Sequence, residues 1–532
     1  MMKKLIFCFD GTGNEPEDAK QSRGLFGVGD PEDESISNVL KLHLLLGGDL
    51  QGRNVFPDQQ SFYYPGVGTY GSWWDKLRNR ALAPPEEDVG SIIKRAVSDI
   101  YNHYEAGDEL FVFGFSRGAA IARRFVSILS STLPALGITE DPKVRFMGVF
   151  DTVAAIKHPN LFNEKIKPAS DVVFEDRFIS PLIEEAVHLL SLDDRRIAFF
   201  PALMNQSLKH DNLQDARVEE IWFAGAHSDV GGSFRYDGLS DIALQFLMER
   251  MAAKKIGLAV LSPLDVNYRD LFDGPDELIA YEDVVVQPSH LGRSHAQNEK
   301  AGVKELMYDY RMPRVSVNDV PSVYPPIIHH SVLDRMADDR DYQSTATIKN
   351  RINPYTNQAV GVRIWFSAHD IRTFDSIDEA RQAVNTKLHR LAVGEEYSFS
   401  VNSNVKYNPS RLLLTAGQKY RFTVDMKQRW FDGTIACGPD GWKAKEEIDN
   451  RLMRWGIKLK EGGRRVPDAA WFELIGTVNR SDQESFRLLK HTTKSSPYKC
   501  LQGGELFAFA NDLNSKYGNN LGTIVLSVTR VS

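Results

Sequence analysis

The sequence predicts an α/β protein: a doubly wound, mostly parallel sheet followed by a C-terminal β-sandwich. Three features carry that prediction. Through the first third, short apolar runs alternate with stretches of helical periodicity, the pattern of parallel strands covered on both faces. Beyond about residue 395, short alternating strands separated by turn residues replace it. The chain has 532 residues, 42% of them hydrophobic and 25% charged, enough apolar material for more than one core.

Taken in order, Lys4–Phe9 is an apolar run halted by Asp10-Gly11-Thr12-Gly13-Asn14, hence a buried strand ending in turn chemistry. Ile92, Ile93, Ala96, Val97, Ile100, Tyr101 and Tyr104 recur at helical spacing, and Gly107 follows as a stop signal. Glu109–Phe113 is the next buried strand, with Ala119–Leu129 as the helix behind it. Arg145–Phe150 and Glu219–Ala224 are further strands, and Ile242–Lys255 is an amphipathic helix. Later, Glu396–Val401, Ser410–Leu414, Lys419–Asp425, Ala470–Thr477, Glu505–Ala510 and Thr523–Thr529 read as strands. One charged helical stretch is expected over Lys443–Trp455. The expected division is 1–345 for the sheet domain and 395–532 for the sandwich. Between them, 346–394 holds a strand (Val360–Phe366) and a helix (Ser376–Leu391). Residues 155–217 are a long insertion, expected as a cap.

Composition excludes several classes. Sixty-four basic against 71 acidic side chains give a formal net charge of −7, which argues against nucleic acid as a partner. Three cysteines, Cys8, Cys437 and Cys500, exclude a disulfide scaffold and any multi-cysteine zinc module. No run approaches the roughly 18 apolar residues of a transmembrane segment. The apolar run after Lys4 ends at Asp10, short of the about 7–15 residues of a leader's core. The chain is therefore expected to be made in the cytoplasm without a cleavable signal peptide.

Gly114-Phe115-Ser116-Arg117-Gly118 is a G-x-S-x-G that an apolar strand enters and a small-residue helix leaves. That context defines a nucleophile elbow, in which a strained turn lifts the serine hydroxyl above a sheet. The hydroxyl is inert at neutral pH, so it needs a base, and the base needs an orienting acid. In parallel sheets such partners lie just past other strands. Asp151 follows the strand ending at Phe150, and His227 follows the strand ending at Ala224. Ser116, Asp151 and His227 are the expected catalytic set, in the chain order of this elbow architecture. Asp229 is the alternative acid, and His330, beside His329, the alternative base. The oxyanion is expected to meet the backbone N–H of Arg117 and a second donor from the Gly11–Thr12 loop, held by Asp10.

Two other chemistries are set aside. A D-x-D-x-T phosphatase motif needs an acid two places before Asp10, and Cys8 stands there. His290, His295, His329 and His330 are read as lacking an acid at helical spacing, so no metal or other cofactor is expected for catalysis. Asp193 and Asp194, before Arg195-Arg196, are expected in surface ion pairs, and Trp73-Trp74 either pack under the cap or meet a membrane interface.

Five motifs occur in order: Phe9-Asp10-Gly11-Thr12-Gly13-Asn14, Tyr64-Pro65-Gly66-Val67-Gly68-Thr69, the Gly114–Ala119 elbow, Phe150-Asp151-Thr152-Val153 and His227-Ser228-Asp229-Val230-Gly231-Gly232. Together, over about residues 3–340, they resemble the α/β-hydrolase family that includes the first family of type VI secretion lipase effectors. The resemblance implies a serine phospholipase or esterase with Ser116, Asp151 and His227 as its triad. It also implies an ester-lipid substrate, export by type VI secretion, and secretion-spike and immunity proteins as partners.

Near the C-terminus, Asn511-Asp512-Leu513-Asn514-Ser515-Lys516-Tyr517-Gly518-Asn519-Asn520 packs oxygen donors into one turn-rich loop. Such a loop suits Ca²⁺, or is a polar loop closed by its own Asx turns. Over about 398–532 it resembles the calcium-dependent galactophilic lectins of bacteria, the PA-I type. The resemblance implies Asp512, Asn519, Asn520 and the Lys516 carbonyl as ligands, a further carbonyl near Gly433, and a glycan or lipid headgroup as partner. The competing expectation for the whole chain is a calcium-dependent carbohydrate-binding protein on a non-catalytic hydrolase scaffold.

Overall fold

A computed structural model describes residues 2–11, 33–66, 86–138, 142–153, 178–206, 216–271, 279–295, 310–317, 320–322, 324–339, 341–344, 360–383, 388–433, 435–444, 455, 457, 460–493 and 495–532. They fall into two compact units that divide between Ala383 and Val384.

The first unit runs β1 (Lys4–Phe9), α1 (Asn38–Leu45), β2 (Gln59–Tyr64), α2 (Glu86–His103), β3 (Glu109–Phe115) and α3 (Ser116–Thr132). It continues through β4 (Lys143–Phe150), β5 (Ala186–Ser191), β6 (Val218–Phe223), α4 (His227–Gly231) and α5 (Gly238–Ala253). It closes with β7 (Ile327–His329), α6 (Ser331–Asp338), β8 (Val362–Ser367) and β9 (Asp370–Phe374). These strands make one nine-stranded sheet in the order β9-β8-β7-β6-β5-β4-β3-β1-β2. Every pairing is parallel except β8 with β9.

The alternation of β1 shows why helices cover both faces. Leu5, Phe7 and Phe9 pack with Ile92, Ala96 and Ile100 of α2 and with Ala119, Ala122 and Phe125 of α3. Ile6 and Cys8 pack on the other face, with Val39 and Leu42 of α1 and Leu244 and Leu247 of α5. A parallel strand buried on both faces must be apolar throughout, and β1 is.

Two parts of the sequence reading are corrected here. Ala186–Ser191, inside the span expected as a cap, is a wholly buried strand between β4 and β6. Val362–Ser367 and Asp370–Phe374 belong to the large sheet, so most of the expected connector lies in the first unit, and its described helix spans only Ile377–Ala383. Trp73-Trp74 and nearly all of Lys443–Trp455 lie outside the described residues.

The second unit is antiparallel. Its strands are β10 (Glu396–Asn402), β11 (Asn408–Leu414), β12 (Lys419–Val424), β13 (Trp430–Asp432), β14 (Ile435–Cys437) and β15 (Leu474–Val478). After them come β16 (Phe486–Arg487), β17 (Tyr498–Lys499), β18 (Gly504–Ala510), β19 (Asn520–Leu521) and β20 (Thr523–Arg530). Sheets β10-β20-β12-β17 and β11-β18-β15-β16 share one core, in which Val401, Phe422 and Leu526 meet Leu412, Leu474 and Leu506. A small sheet, β14-β13-β19, sets Asp432 opposite Asn520.

Candidate active site

β3 passes into α3 with no intervening residue: Phe115 is extended, and Ser116 is at φ 57°. Both glycines of the pentapeptide are demanded by close backbone approach. A Cβ on Gly114 would stand 2.7 Å from the Cα of Ala119, and one on Gly118 would stand 2.2 Å from the carbonyl oxygen of Asp10. The start of α3 is thereby pressed against the end of β1, where Gly11 begins its loop.

That loop is held by Asp10. Its Oδ1 accepts the N–H of Gly11 at 2.6 Å, and its Oδ2 accepts the hydroxyls of Ser37 and Tyr63, each at 2.6 Å. Thr12 lies outside the described residues.

Asp151 follows β4 at φ 39° and is fully buried. The Nδ1–H of His227 donates to its Oδ2 at 2.6 Å. A carboxylate can only accept, so this bond leaves Nε2 with a free lone pair, and the buried Nε2 has no hydrogen-bond partner. The imidazole lies 4.7 Å from the ring of Phe115, Ser116's neighbour, and edge-on to Phe199 at 5.0 Å. Burial lowers the pKa of His227, opposed by its bond to Asp151. The lowered pKa keeps the imidazole neutral at pH 7, and the hydroxyl of Ser116 makes no hydrogen bond to it.

One member of this site carries no sequence signal. The buried guanidinium of Arg311 donates Nη1–H to Asp151 Oδ1 at 2.8 Å and Nη2–H to Oδ2 at 3.0 Å. It also donates to the carbonyl and hydroxyl of Ser191 and to the carbonyl of Phe199. The N–H of Ser191, at the end of β5, donates to Asp151 Oδ1 at 3.0 Å. Burial opposes ionisation of Asp151, but Arg311 and then His227 outweigh it and hold the carboxyl well below the usual range.

The alternative residues go elsewhere. Asp229 accepts the N–H of Ala226 at 2.8 Å and binds His295 Nδ1 at 2.5 Å, which fixes α4 rather than His227. His330 pairs with Asp334 at 2.8 Å, one helical turn on, so an acid at helical spacing does exist there. Asp193 and Asp194 are buried, not on the surface. Asp193 accepts from Gly225 N–H and from Ser344 and Tyr342, whereas Asp194 pairs with Arg196 and accepts the N–H of His227 at 3.2 Å.

In the second unit, Asp512 is buried and accepts the N–H of Leu513 at 2.6 Å and the Nδ2–H of Asn520 at 3.1 Å. Oδ1 of Asn519 and Oδ1 of Asn520 are buried without a hydrogen-bond partner. The carbonyl of Lys516 accepts the N–H of Asn519, whose own carbonyl accepts the N–H of Gly433, each at 3.2 Å. Among the described residues, no cluster of three His, Cys, Asp or Glu suits a metal ion, and no helix is long and apolar enough to cross a membrane.

Fold and site together define an α/β scaffold that presents a serine elbow beside a buried acid–imidazole pair. Residues 3–140 and 134–250 match the family described as "T6SS, Phospholipase effector Tle1-like, catalytic domain". An uncharacterised protein of Saccharomyces cerevisiae is 24% identical over 248 residues, which are 37% of this chain and 32% of that protein. The chain thus spans about a third of that curated relative. A solved structure of the Tle1 effector bound to the VgrG spike aligns at 21% identity, covering 44% of this chain and 51% of that one, with a TM-score of 0.28. The EclA N-terminal domain, a PllA-like lectin, aligns at 14% identity over 25% of this chain and 95% of that one, with a TM-score of 0.18.

Proposed function

We propose that this chain is a serine hydrolase of lipid esters, a phospholipase that acts as a type VI secretion effector. The observation that carries the proposal is the buried Nδ1–Asp151 bond of His227, whose Nε2 is left unpartnered in a ring that packs on Phe115, the residue before Ser116. Ser116 Oγ attacks the ester carbonyl while Nε2 takes its proton. The N–H of Arg117 receives the oxyanion, and the second donor is the N–H of Thr12, because Asp10 Oδ1 already holds that of Gly11. The tetrahedral intermediate collapses, Nε2 returns the proton to the leaving alcohol, and water releases the acyl group by the same route. These steps call on no metal or organic cofactor. A secretion spike and an immunity protein are the partners this reading entails.

The test uses the full chain on phospholipid vesicles and on a fluorogenic ester. Ser116→Ala is expected to reduce hydrolysis by about 10³-fold or more and to abolish labelling by a fluorophosphonate. Hydrolysis that survives in Ser116→Ala refutes the mechanism.

The buried, unpartnered side-chain oxygens of Asn519 and Asn520 favour a second role for the C-terminal unit. With Asp512 and the Lys516 carbonyl they fit a hard cation such as Ca²⁺, through which a glycan or lipid headgroup is held. Glycan binding that chelator abolishes, in a chain that no fluorophosphonate labels, would instead support the calcium-dependent carbohydrate-binding protein on a non-catalytic scaffold.

A further inference from the structure

Arg311 touches neither the serine nor the base, yet it is the most heavily engaged cation at the site. Its two Nη groups make five hydrogen bonds, two of them to the carboxylate that orients His227. We propose that Arg311 is a positioning residue that fixes the Asp151 carboxylate toward Nδ1 and offsets its charge, so that His227 stays a neutral base in mildly acidic surroundings. The inference rests on the hydrolase reading above and adds to it the pH range in which the site works.

The groups that face the imidazole are few. Asp151 meets Nδ1 from the end of β4, and Asp194, paired with Arg196, accepts the backbone N–H. Phe115 and Phe199 wall the ring without charge. Asp229, on the same helix, is turned to His295. Behind Asp151 stands His188 of β5, whose Nε2 accepts the N–H of Thr152 at 3.1 Å and whose Nδ1 meets Glu220 at 2.9 Å. Arg123, from α3, donates to the carbonyls of Ala202 and Leu203.

An aspartate beside an imidazole stabilises the imidazolium and so promotes unproductive protonation before substrate arrives. A guanidinium on both carboxylate oxygens cancels much of that field while leaving the Nδ1–H bond intact. Removing the cation without removing the carboxylate therefore raises the proton affinity of His227. At the few ångströms involved, and with the screening typical of protein sites, one unit charge moves an imidazole by about one to two pH units.

The experiment compares kcat/KM against pH for the full-length wild type, Arg311→Lys and Arg311→Met. It also follows the His227 ring by NMR titration. The wild type is expected to keep its activity below pH 6. Arg311→Met is expected to move the acid limb up by about one to two units. Arg311→Lys keeps the charge but not the fork, so its limb is expected near wild type with kcat lowered about tenfold or more. An acid limb in Arg311→Met unmoved from wild type overturns the proposal. If Arg311→Met does not fold, a wild-type limb at or above 6.5, or an Arg311→Lys limb shifted upward by a full unit, overturns it instead. The NMR titration separates the two readings. A His227 that stays neutral at pH 6 in a chain inert to ester and fluorophosphonate supports the role of Arg311 and refutes the hydrolase.

Discussion

Ser116 occupies a backbone conformation that a residue with a Cβ adopts at a cost of about 1–3 kcal/mol. The turn persists because Gly114 and Gly118 let α3 and the end of β1 close on it from both sides. Ser116→Gly is accordingly expected to abolish hydrolysis while stabilising the fold by roughly 1 kcal/mol, one to a few degrees in the unfolding midpoint. Calorimetry checks this, and a midpoint below wild type would deny that the turn stores strain. At this scale the pairing of Asp151 with His227 was legible. Asp151 follows an apolar run directly and His227 stands a few residues past another, and a strand end is where a parallel sheet presents chemistry. Arg311 was not legible, because its partner Asp151 lies 160 positions away and nothing local marks it.

Among the elements, α4 is a single buried turn that packs Val230 into the core and adds an ionic tie. Asp229 within it binds His295 Nδ1, and Asp33 binds Nε2 at 3.0 Å. Burial would lower the pKa of His295, but the two carboxylates override it and raise the group to about 9. A folded-state pKa above the unfolded value stabilises fully below about 6.5, and the contribution fades as pH rises through 9. His295→Gln should cost on the order of 2 kcal/mol at pH 6 and much less at pH 9.5, read from paired denaturation curves. An equal cost at both values rejects the ionic tie. The same scale explains which strands sequence reasoning missed. β2 reads Gln-Gln-Ser-Phe-Tyr-Tyr and lies at the sheet edge, so its polar residues hide it. β7 has three residues, too few for any periodicity. β5 carries His188 in mid-strand, which breaks the apolar run that marked β1, β3 and β4.

For the whole molecule, the two compact units carry different proposed chemistry. Burial raises the pKa of Asp512 despite bonds from Leu513 and Asn520. Without a cation, that carboxylate stabilises the fold relative to the unfolded chain only while protonated, so stability falls as pH rises from about 4 toward neutrality. Calcium bound there, as proposed, would reverse the sign by favouring the charged form. In chelator, unfolding of the C-terminal unit is expected to move to lower temperature between pH 4.5 and 7. Millimolar Ca²⁺ should raise the midpoint at pH 7 by several degrees, an effect that Asn519→Ala with Asn520→Ala removes. A midpoint indifferent to both chelator and calcium would leave the loop a polar turn closed on itself.

The attachment of Asp151 has an evolutionary consequence. Its N–H donates to the Leu189 carbonyl and its carboxylate accepts the N–H of Ser191, so neighbouring β5 anchors the acid. Sequence drift elsewhere is therefore expected to leave Asp151 in place as long as the end of β5 keeps its register with β4.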